Sequence, residues 1–308
     1  EDKDSLIHGK HPELRIYYPA TIHFTNSLID TIIDSVGVRN RGNTSIDNFK
    51  RPIKIDFKEF GGVKFYDHKK FNLKTEPNDP SLLREFLGLY VMREAGVPAA
   101  RSSFASVYIN NENMGLYLNI EQIDDEFLDR RFDNDTGNLY KCLYHDVPAD
   151  LRDESTASDN QRYVIKTNEE INDRSKLVDL INVLADSDNP DFKSELAGIF
   201  EIDMFLKYMA VESLFGHWDS PTMLANNYYL YENELSGKTV LIPYDLDNTL
   251  GIDWLGADWS EFSFSDWPGG LWQSNALSIA VGRVPEFVER YEQYIVTDIK
   301  YLFNEEIL

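Results

Sequence analysis

The chain has 308 residues, 42% of them apolar and 27% charged, enough for one large core or two modest ones, and its length suggests about two lobes. No apolar run approaches the roughly 20 residues of a bilayer span, and the start Glu1-Asp2-Lys3-Asp4 has neither the basic nor the apolar region of a signal peptide. A membrane span is therefore excluded, whereas a leader removed ahead of residue 1 is not. One cysteine, Cys142, rules out an intramolecular disulfide and a multi-cysteine zinc site, and the six histidines contain no His-x-x-x-His pair.

Thirty basic residues against 53 acidic give a net charge of −23, which repels nucleic acid and anionic membrane over most of the surface. The charge is unevenly placed. From Arg39 to Lys74 ten basic residues stand against Asp47, Asp56, Glu59 and Asp67, a local +6 suited to an anion. From Glu201 to Gly270 twelve acids, among them Asp219, Asp245, Asp247 and Asp253, face only Lys207 and Lys238, the composition expected where a cation is held. Together these segments suggest a metal-bridged anionic ligand, although two solvated charged faces would read the same way.

In chain order, residues 20 to 75 read as short strands: around Ile22 to Phe24, Ile32 to Val38, and Pro52 to Phe57, where Ile53, Ile55 and Phe57 alternate with Lys54, Asp56 and Lys58. Such alternation marks a half-buried strand and puts Lys54 on the face opposite Ile53 and Ile55. Arg41-Gly42-Asn43-Thr44-Ser45 is a polar turn between the second and third strands. Asp79-Pro80 starts a helix in which Leu82, Leu83, Phe86, Leu89 and Tyr90 recur at helical spacing up to Gly96. Phe104 to Ile109 and Met114 to Ile120 flank Asn110-Asn111-Glu112-Asn113 as a β-hairpin. Helices follow at about 123–132, 170–186 and 201–216, with the polar stretch Asp146 to Gln161 read as a mobile loop. A second hairpin, Asn227 to Tyr231 with Thr239 to Tyr244, delivers the chain to Asp245-Leu246-Asp247, and Asn275 to Phe303 is again helical.

Asp245-Leu246-Asp247 at a strand end can present carboxylates to a hard divalent cation, though Asp-x-Asp is also an ordinary turn sequence. His217-Trp218-Asp219 follows an apolar helix, and Asn226-Asn227 opens the hairpin that leads to Asp245. An Asp able to accept a hydroxyl proton, an Asn able to share a metal, a hairpin and a metal-binding Asp is the order of parts in protein-kinase phosphoryl transfer. Lys54 would then be the phosphate-binding lysine and the Arg41 to Ser45 turn a phosphate-covering loop. Neither Gly-x-Gly-x-x-Gly nor a P-loop sequence occurs.

The ordered set Arg41-Gly42-Asn43 with Lys54, Phe71-Asn72-Leu73-Lys74, Asp79-Pro80-Ser81-Leu82-Leu83-Arg84, Glu94-Ala95-Gly96-Val97-Pro98, Gly115-Leu116-Tyr117-Leu118, Glu121-Gln122, Gly137-Asn138-Leu139-Tyr140-Lys141, Asn227-Tyr228-Tyr229-Leu230-Tyr231 and Ile242-Pro243-Tyr244-Asp245-Leu246-Asp247 resembles the spore coat protein H (CotH) kinase family over about residues 35–255. The resemblance implies an α+β, divergent protein-kinase-like two-lobed fold. Its β-rich N-lobe (1–122) carries one long helix, and its C-lobe (123–308) is helix-rich. It further implies an atypical, secreted or spore-associated bacterial protein kinase that transfers the ATP γ-phosphate to Ser or Thr of a protein, with Mg²⁺ or Mn²⁺. Asp219 and Lys54 are the catalytic residues on this reading. Arg41, Lys54, Lys74, Glu121, Tyr140 and Tyr244 bind nucleotide, the two tyrosines sandwiching adenine. Asp245, Asn227 and Asp247 bind metal. Tyr244 stands where the family often has Trp, and the eight residues from Asp219 to Asn227 exceed the usual kinase spacing, which leaves Asn226 as an alternative to Asn227.

Glu121 and Glu85 are each candidates to pair with Lys54, or surface glutamates; Arg84 and Lys74 either reach phosphate or cover apolar surface. Trp254, Trp259, Trp267 and Trp272 form a core or a peptide groove, and Cys142 is a buried hydrophobe rather than a nucleophile. A nucleotide-binding pseudokinase that assembles a coat or surface complex, and a carbohydrate-associated surface module with paired carboxylates, are the competing readings. The acidic surface favours a substrate with Ser or Thr in a basic context.

Overall fold

The computed structural model describes residues 15–42, 44–144, 147–252, 256, 262–266 and 275–304. Asn43, Asp146, Asp253 and the tryptophans Trp254, Trp259, Trp267 and Trp272 lie outside the described residues. Two antiparallel sheets and, among the described residues, eight α-helices make a mixed α and β chain. It divides into two compact units, residues 1–86 with 100–127 and residues 87–99 with 128–308. The later division point falls five residues beyond the expected 122/123 boundary, and segment 87–99 belongs to the second unit.

Unit 1 is built on a six-stranded sheet in the order β1-β2-β3-β4-β6-β5. Its strands are β1 (Tyr18–Thr25), β2 (Asp30–Asn40), β3 (Ile53–Asp56), β4 (Lys70–Lys74), β5 (Ser102–Ile109) and β6 (Glu112–Ile120). The alternation read at 53–57 holds: Ile53 and Ile55 join Val36, Phe57, Phe65, Leu73 and Tyr117 in one apolar cluster. Lys54 pairs across to Asn72 and Arg39, so these three side chains share the opposite face. β4 is not legible as a separate strand in the sequence, because Lys-Phe-Asn-Leu-Lys gives only five residues of alternation. The β5–β6 turn is tighter than expected. Asn110 and Asn111 both have positive φ (49° and 67°), the two-residue primed turn that suits the twist of a hairpin, and β6 therefore starts at Glu112.

Helix α1 (Arg84–Glu94) begins later than Asp79-Pro80 suggested. The Asp79 carboxylate accepts from the backbone N–H of Ser81 and of Arg84 and from the Arg84 guanidinium, and Leu82 has φ +57°, so a local turn precedes the helix. The helix stops at Gly96 (φ +82°), where the Val97 N–H returns to the Met92 carbonyl. Helix α2 (Asp125–Phe132) supplies Asp125 and Glu126, which take Lys69 and Lys64. The basic run of unit 1 is thus largely dispersed into pairs, with Lys70 3.5 Å from Asp56, rather than gathered into one anion patch.

Unit 2 carries a four-stranded sheet in the order β10-β9-β7-β8: β7 (Leu139–Cys142), β8 (Tyr163–Ile165), β9 (Tyr228–Asn233) and β10 (Lys238–Pro243). Around it lie α3 (Ser175–Ala185), α4 (Phe192–Ile199), α5 (Ile202–Phe215), the single turn α6 (Pro221–Leu224), α7 (Ala276–Arg283) and α8 (Pro285–Tyr301). Every residue of β9, including Glu232 and Asn233, is buried, and the strand is an inner one between β10 and β7. Pro285 divides the C-terminal helical segment in two. Cys142 is fully buried, and burial pushes its thiol well above the usual range, so it is a packing residue.

The polar stretch before β8 is fastened rather than loose. Arg174 donates to the Ala157 carbonyl at 2.6 Å, to the Tyr163 carbonyl at 3.1 Å and to Asn160, while the Tyr163 hydroxyl accepts from Leu151 N–H and the Tyr228 hydroxyl donates to the Ala149 carbonyl. Composition alone suggested mobility because the fastening groups are remote in sequence. Arg174→Ala is expected to cost roughly 2–4 kcal/mol and to open residues 149–161 to limited proteolysis. Unchanged cleavage and an unchanged denaturation midpoint would refute this anchoring.

Candidate active site

The candidate residues fall into a cation-bearing set in unit 1 and a carboxylate-bearing set in unit 2, each with its own geometry. In unit 1, Lys54 donates to Gln122 Oε1 at 3.0 Å, and Asn72 Nδ2 reaches the same oxygen at 3.3 Å. Glu121, a candidate partner of Lys54 or a surface glutamate, is buried and accepts from Arg101 through Nε (3.1 Å), Nη2 (2.8 Å) and the backbone N–H (2.9 Å). The lysine brought to a helix carboxylate is Lys74, two residues along β4 on the same face as Asn72. It bonds Glu85 of α1 and lies 3.3 Å from Glu76, and both carboxylates are buried. Arg41 is fixed by its backbone N–H to the Pro52 carbonyl at the mouth of the Gly42 turn, where φ is +104°.

In unit 2 the apolar helix α5 ends at Gly216, whose φ of +59° is the left-handed conformation that glycine adopts without cost. His217 and Trp218 then bind the following chain to the 245–252 segment: His217 Nδ1 lies 3.3 Å from the Asn248 carbonyl and Trp218 Nε1 donates to the Ile252 carbonyl at 2.7 Å. Asp219 comes next, half-buried, and its carboxylate collects three side-chain amides. Asn226 Nδ2 donates to Oδ1 at 2.8 Å, and Asn227 Nδ2 and Asn248 Nδ2 donate to Oδ2 at 3.0 and 3.1 Å. The long gap to Asn227 is filled by α6, capped by Ser220, after which Ala225 and Asn227 take positive φ (51° and 56°) and turn both asparagines back toward Asp219.

The two asparagines are not equivalent. Asn226 Oδ1 accepts the Tyr144 N–H at 2.7 Å, so both ends of that amide are engaged, and Asn227 is the better oxygen donor to a cation. Asn227 is also next to the metal motif, because its carbonyl accepts the Tyr244 N–H at 3.2 Å. Asp245 follows with φ +60°, a conformation that an Asp holds only when its surroundings fix it. Leu246 is buried, and its side chain packs on Gly88 of α1, where an added Cβ would meet it at 3.0 Å; Asp245 and Asp247 on either side remain half-exposed. Among the described residues no three His, Cys, Asp or Glu side chains form a metal-holding group. Two carboxylates and an amide oxygen nonetheless fit Mg²⁺, which is commonly held by one or two carboxylates plus substrate phosphates and water.

Tyr244 is partly exposed, edge-on to Tyr229 at 5.4 Å, with Lys141 Nζ 4.2 Å over its ring. Tyr140 corrects an expectation. It is fully buried, its hydroxyl donates to the Asp173 carbonyl and the Arg174 guanidinium lies 5.6 Å from its ring, so it has no open face for adenine. Strand alternation is the reason: Lys141, not Tyr140, shares a face with Tyr229. Gln122, named only within the Glu121-Gln122 motif, and Asn248 were assigned no role from the sequence. Asn248 directly follows Asp-Leu-Asp, and that adjacency was the available signal.

Two measurements check this packing. Gly88→Val should overpack Leu246 and cost about 1–3 kcal/mol in denaturant unfolding; an unchanged midpoint would show that the contact is loose. Glu232, buried next to Asn138, has its carboxyl pushed up to about 7 by burial. A carboxyl whose folded pKa exceeds its unfolded value stabilises below about 4.5 and loses that contribution as pH rises through about 7. Glu232→Gln should therefore flatten the fall in stability between pH 5 and 8, by up to about 3 kcal/mol, and an identical pH profile would contradict the burial argument.

The sequence model described as CotH kinase protein matches residues 38–308. Inner spore coat protein H of Bacillus subtilis is 29% identical over 280 residues, 89% of this chain and 73% of that protein. Two proteins of Rhizopus delemar, invasins CotH7 and CotH3, are 24% and 23% identical over 77% and 76% of this chain, which spans only 40% and 41% of their length. With the match running over most of its length, the chain belongs to the CotH kinase protein family.

Proposed function

We propose that the chain is an atypical ATP-dependent protein kinase of divergent kinase-like fold, which moves the γ-phosphoryl group to a Ser or Thr hydroxyl. The observation that carries this reading is the three-amide grip on Asp219 beside the Asn227 and Asp245 oxygen donors. A carboxylate offers about four acceptor sites; the described residues take one on Oδ1 and two on Oδ2, which leaves Oδ1 a site for a substrate hydroxyl. Asp219 orients that hydroxyl and takes its proton as the hydroxyl oxygen bonds to the γ-phosphorus. The bond from that phosphorus to the β-bridging oxygen breaks, and ADP leaves. Asp245, Asp247 and Asn227 would hold the divalent cation, which when bound neutralises charge on the phosphates.

In unit 1 the Lys74–Glu85 pair supports the phosphate-positioning role, with Lys54 on the same sheet face and bonded to Gln122, because protein kinases fix their phosphate lysine with a helix glutamate. Tyr244, with Lys141 above it, supports base stacking. The net charge of −23 supports a substrate segment rich in Lys and Arg. By analogy with the spore coat and invasin relatives, the chain acts at a spore or cell surface.

Transfer of labelled γ-phosphate to a basic acceptor, with Mg²⁺ and with Mn²⁺, is expected for the wild type and should fall by about 10²-fold or more in Asp219→Asn, Asp245→Ala and Lys74→Ala. Undiminished transfer in Asp245→Ala would sink the metal assignment. No transfer by the wild type, with ATP still raising Tm, would establish a pseudokinase scaffold instead. Equal rates on Lys-rich and Glu-rich peptides at low salt would refute the charge-based substrate preference.

A further inference from the structure

The segment that aims Asn226 and Asn227 at Asp219 is held from beneath by a carboxylate in the middle of an apolar helix. Glu212 of α5 is fully buried, yet its neighbours Tyr208, Met209, Ala210, Val211 and Phe215 make this helix face part of the core. A lone carboxylate at such a position is costly unless its oxygens are satisfied. Glu212 Oε1 accepts the hydroxyls of Ser220 and Thr222, both fully buried, one on each side of Pro221. Ser220 is the hub of the turn that follows. Its hydroxyl oxygen accepts the Met223 N–H at 3.3 Å, and its carbonyl accepts the N–H groups of Leu224 at 2.9 Å and Asn226 at 3.3 Å. Asn226 and Asn227 then supply two of the three amides on Asp219, which is itself the residue before Ser220.

From this chain of contacts we infer that Glu212 is a positioning residue for the Asp219–Asn227 pair. It never touches substrate; it clamps the two hydroxyls and so sets the path of α6, which sets both asparagines. The clamp also accounts for the eight-residue spacing, because a longer connection keeps a fixed geometry when it is pinned in its middle. The inference rests on the kinase reading for its catalytic consequence, while its structural part stands apart from it.

The test uses the full chain and the variants Glu212→Leu, Glu212→Gln and Thr222→Val. Glutamine keeps an oxygen that can accept both hydroxyls, so Glu212→Gln should keep kcat within about threefold of the wild type, whereas Glu212→Leu and Thr222→Val should lower kcat at least tenfold with KM for ATP changed less than threefold. Hydrogen exchange at the amides of Met223, Leu224 and Asn226 should speed up in the same two variants and not in Glu212→Gln, with α8 unaffected. Should Glu212→Leu fail to fold, Thr222→Val carries the test. Equal losses in Glu212→Gln and Glu212→Leu, or kcat falling in both variants without faster exchange in this segment, would overturn the inference. If the wild type transfers no phosphate, the kinase reading fails on its own, and the exchange pattern still decides whether Glu212 holds the segment.

Discussion

The hydrogen bonds on the Asp219 carboxylate organise unit 2 around the candidate chemistry. Three asparagine amides converge on it from two directions, two from the end of α6 and one from the loop after Asp245. A carboxylate that accepts several neutral donors is held in one rotamer. The same bonds join three stretches of the chain: the segment after α5, the start of β9 and the Asp245–Ile252 segment. His217 and Trp218 reinforce the third of these, and the Tyr244 N–H to the Asn227 carbonyl closes the ring.

Around that centre the structure accepts several costs together. Ala225, Asn227, Asp245 and Leu250 all have positive φ, and Glu212 is a carboxylate without solvent. Each would be destabilising alone. They occur within one connected hydrogen-bond network, the arrangement by which proteins pin side chains that loops alone would leave free. The apolar side matters equally: Leu246 seated on Gly88 fixes the short stretch between two aspartates, so the carboxylates are aimed by a hydrophobic contact as much as by backbone strain.

The fold was legible wherever periodicity ran long enough. The strands around 53–57, the Asn110-Asn111 hairpin, the second hairpin and the helix ending at Gly216 sit within a few residues of expectation. β4, β7 and β8 were missed because each is three to five residues long and is defined by its neighbours rather than by its own pattern. The 149–163 stretch misled for the same reason: its composition is that of a loop, but Arg174 and two tyrosine hydroxyls anchor it. At the site, Asp219, Asn227, Asp245 and Asp247 were named from order along the chain, whereas the partners of Lys54, Lys74 and Glu121 were not.

The sequence by itself determined the linear order of the candidate residues, a cation-rich strand region followed by His217-Trp218-Asp219, Asn226-Asn227 and Asp245-Leu246-Asp247, and linear order survives without coordinates. It also determined which face of β3 is buried, because a period of two follows from backbone geometry alone. Only the tertiary structure decided that Glu85 pairs with Lys74 and that Glu121 pairs with Arg101, choices set by which strands are adjacent and in what register. It also decided that Tyr140 faces inward while Lys141 lies over Tyr244, and that Asn226 has its amide oxygen engaged by the Tyr144 N–H while the Asn227 backbone carbonyl accepts the Tyr244 N–H. Those are matters of side-chain direction and hydrogen-bond competition, and they exist only once the segments are brought together in space.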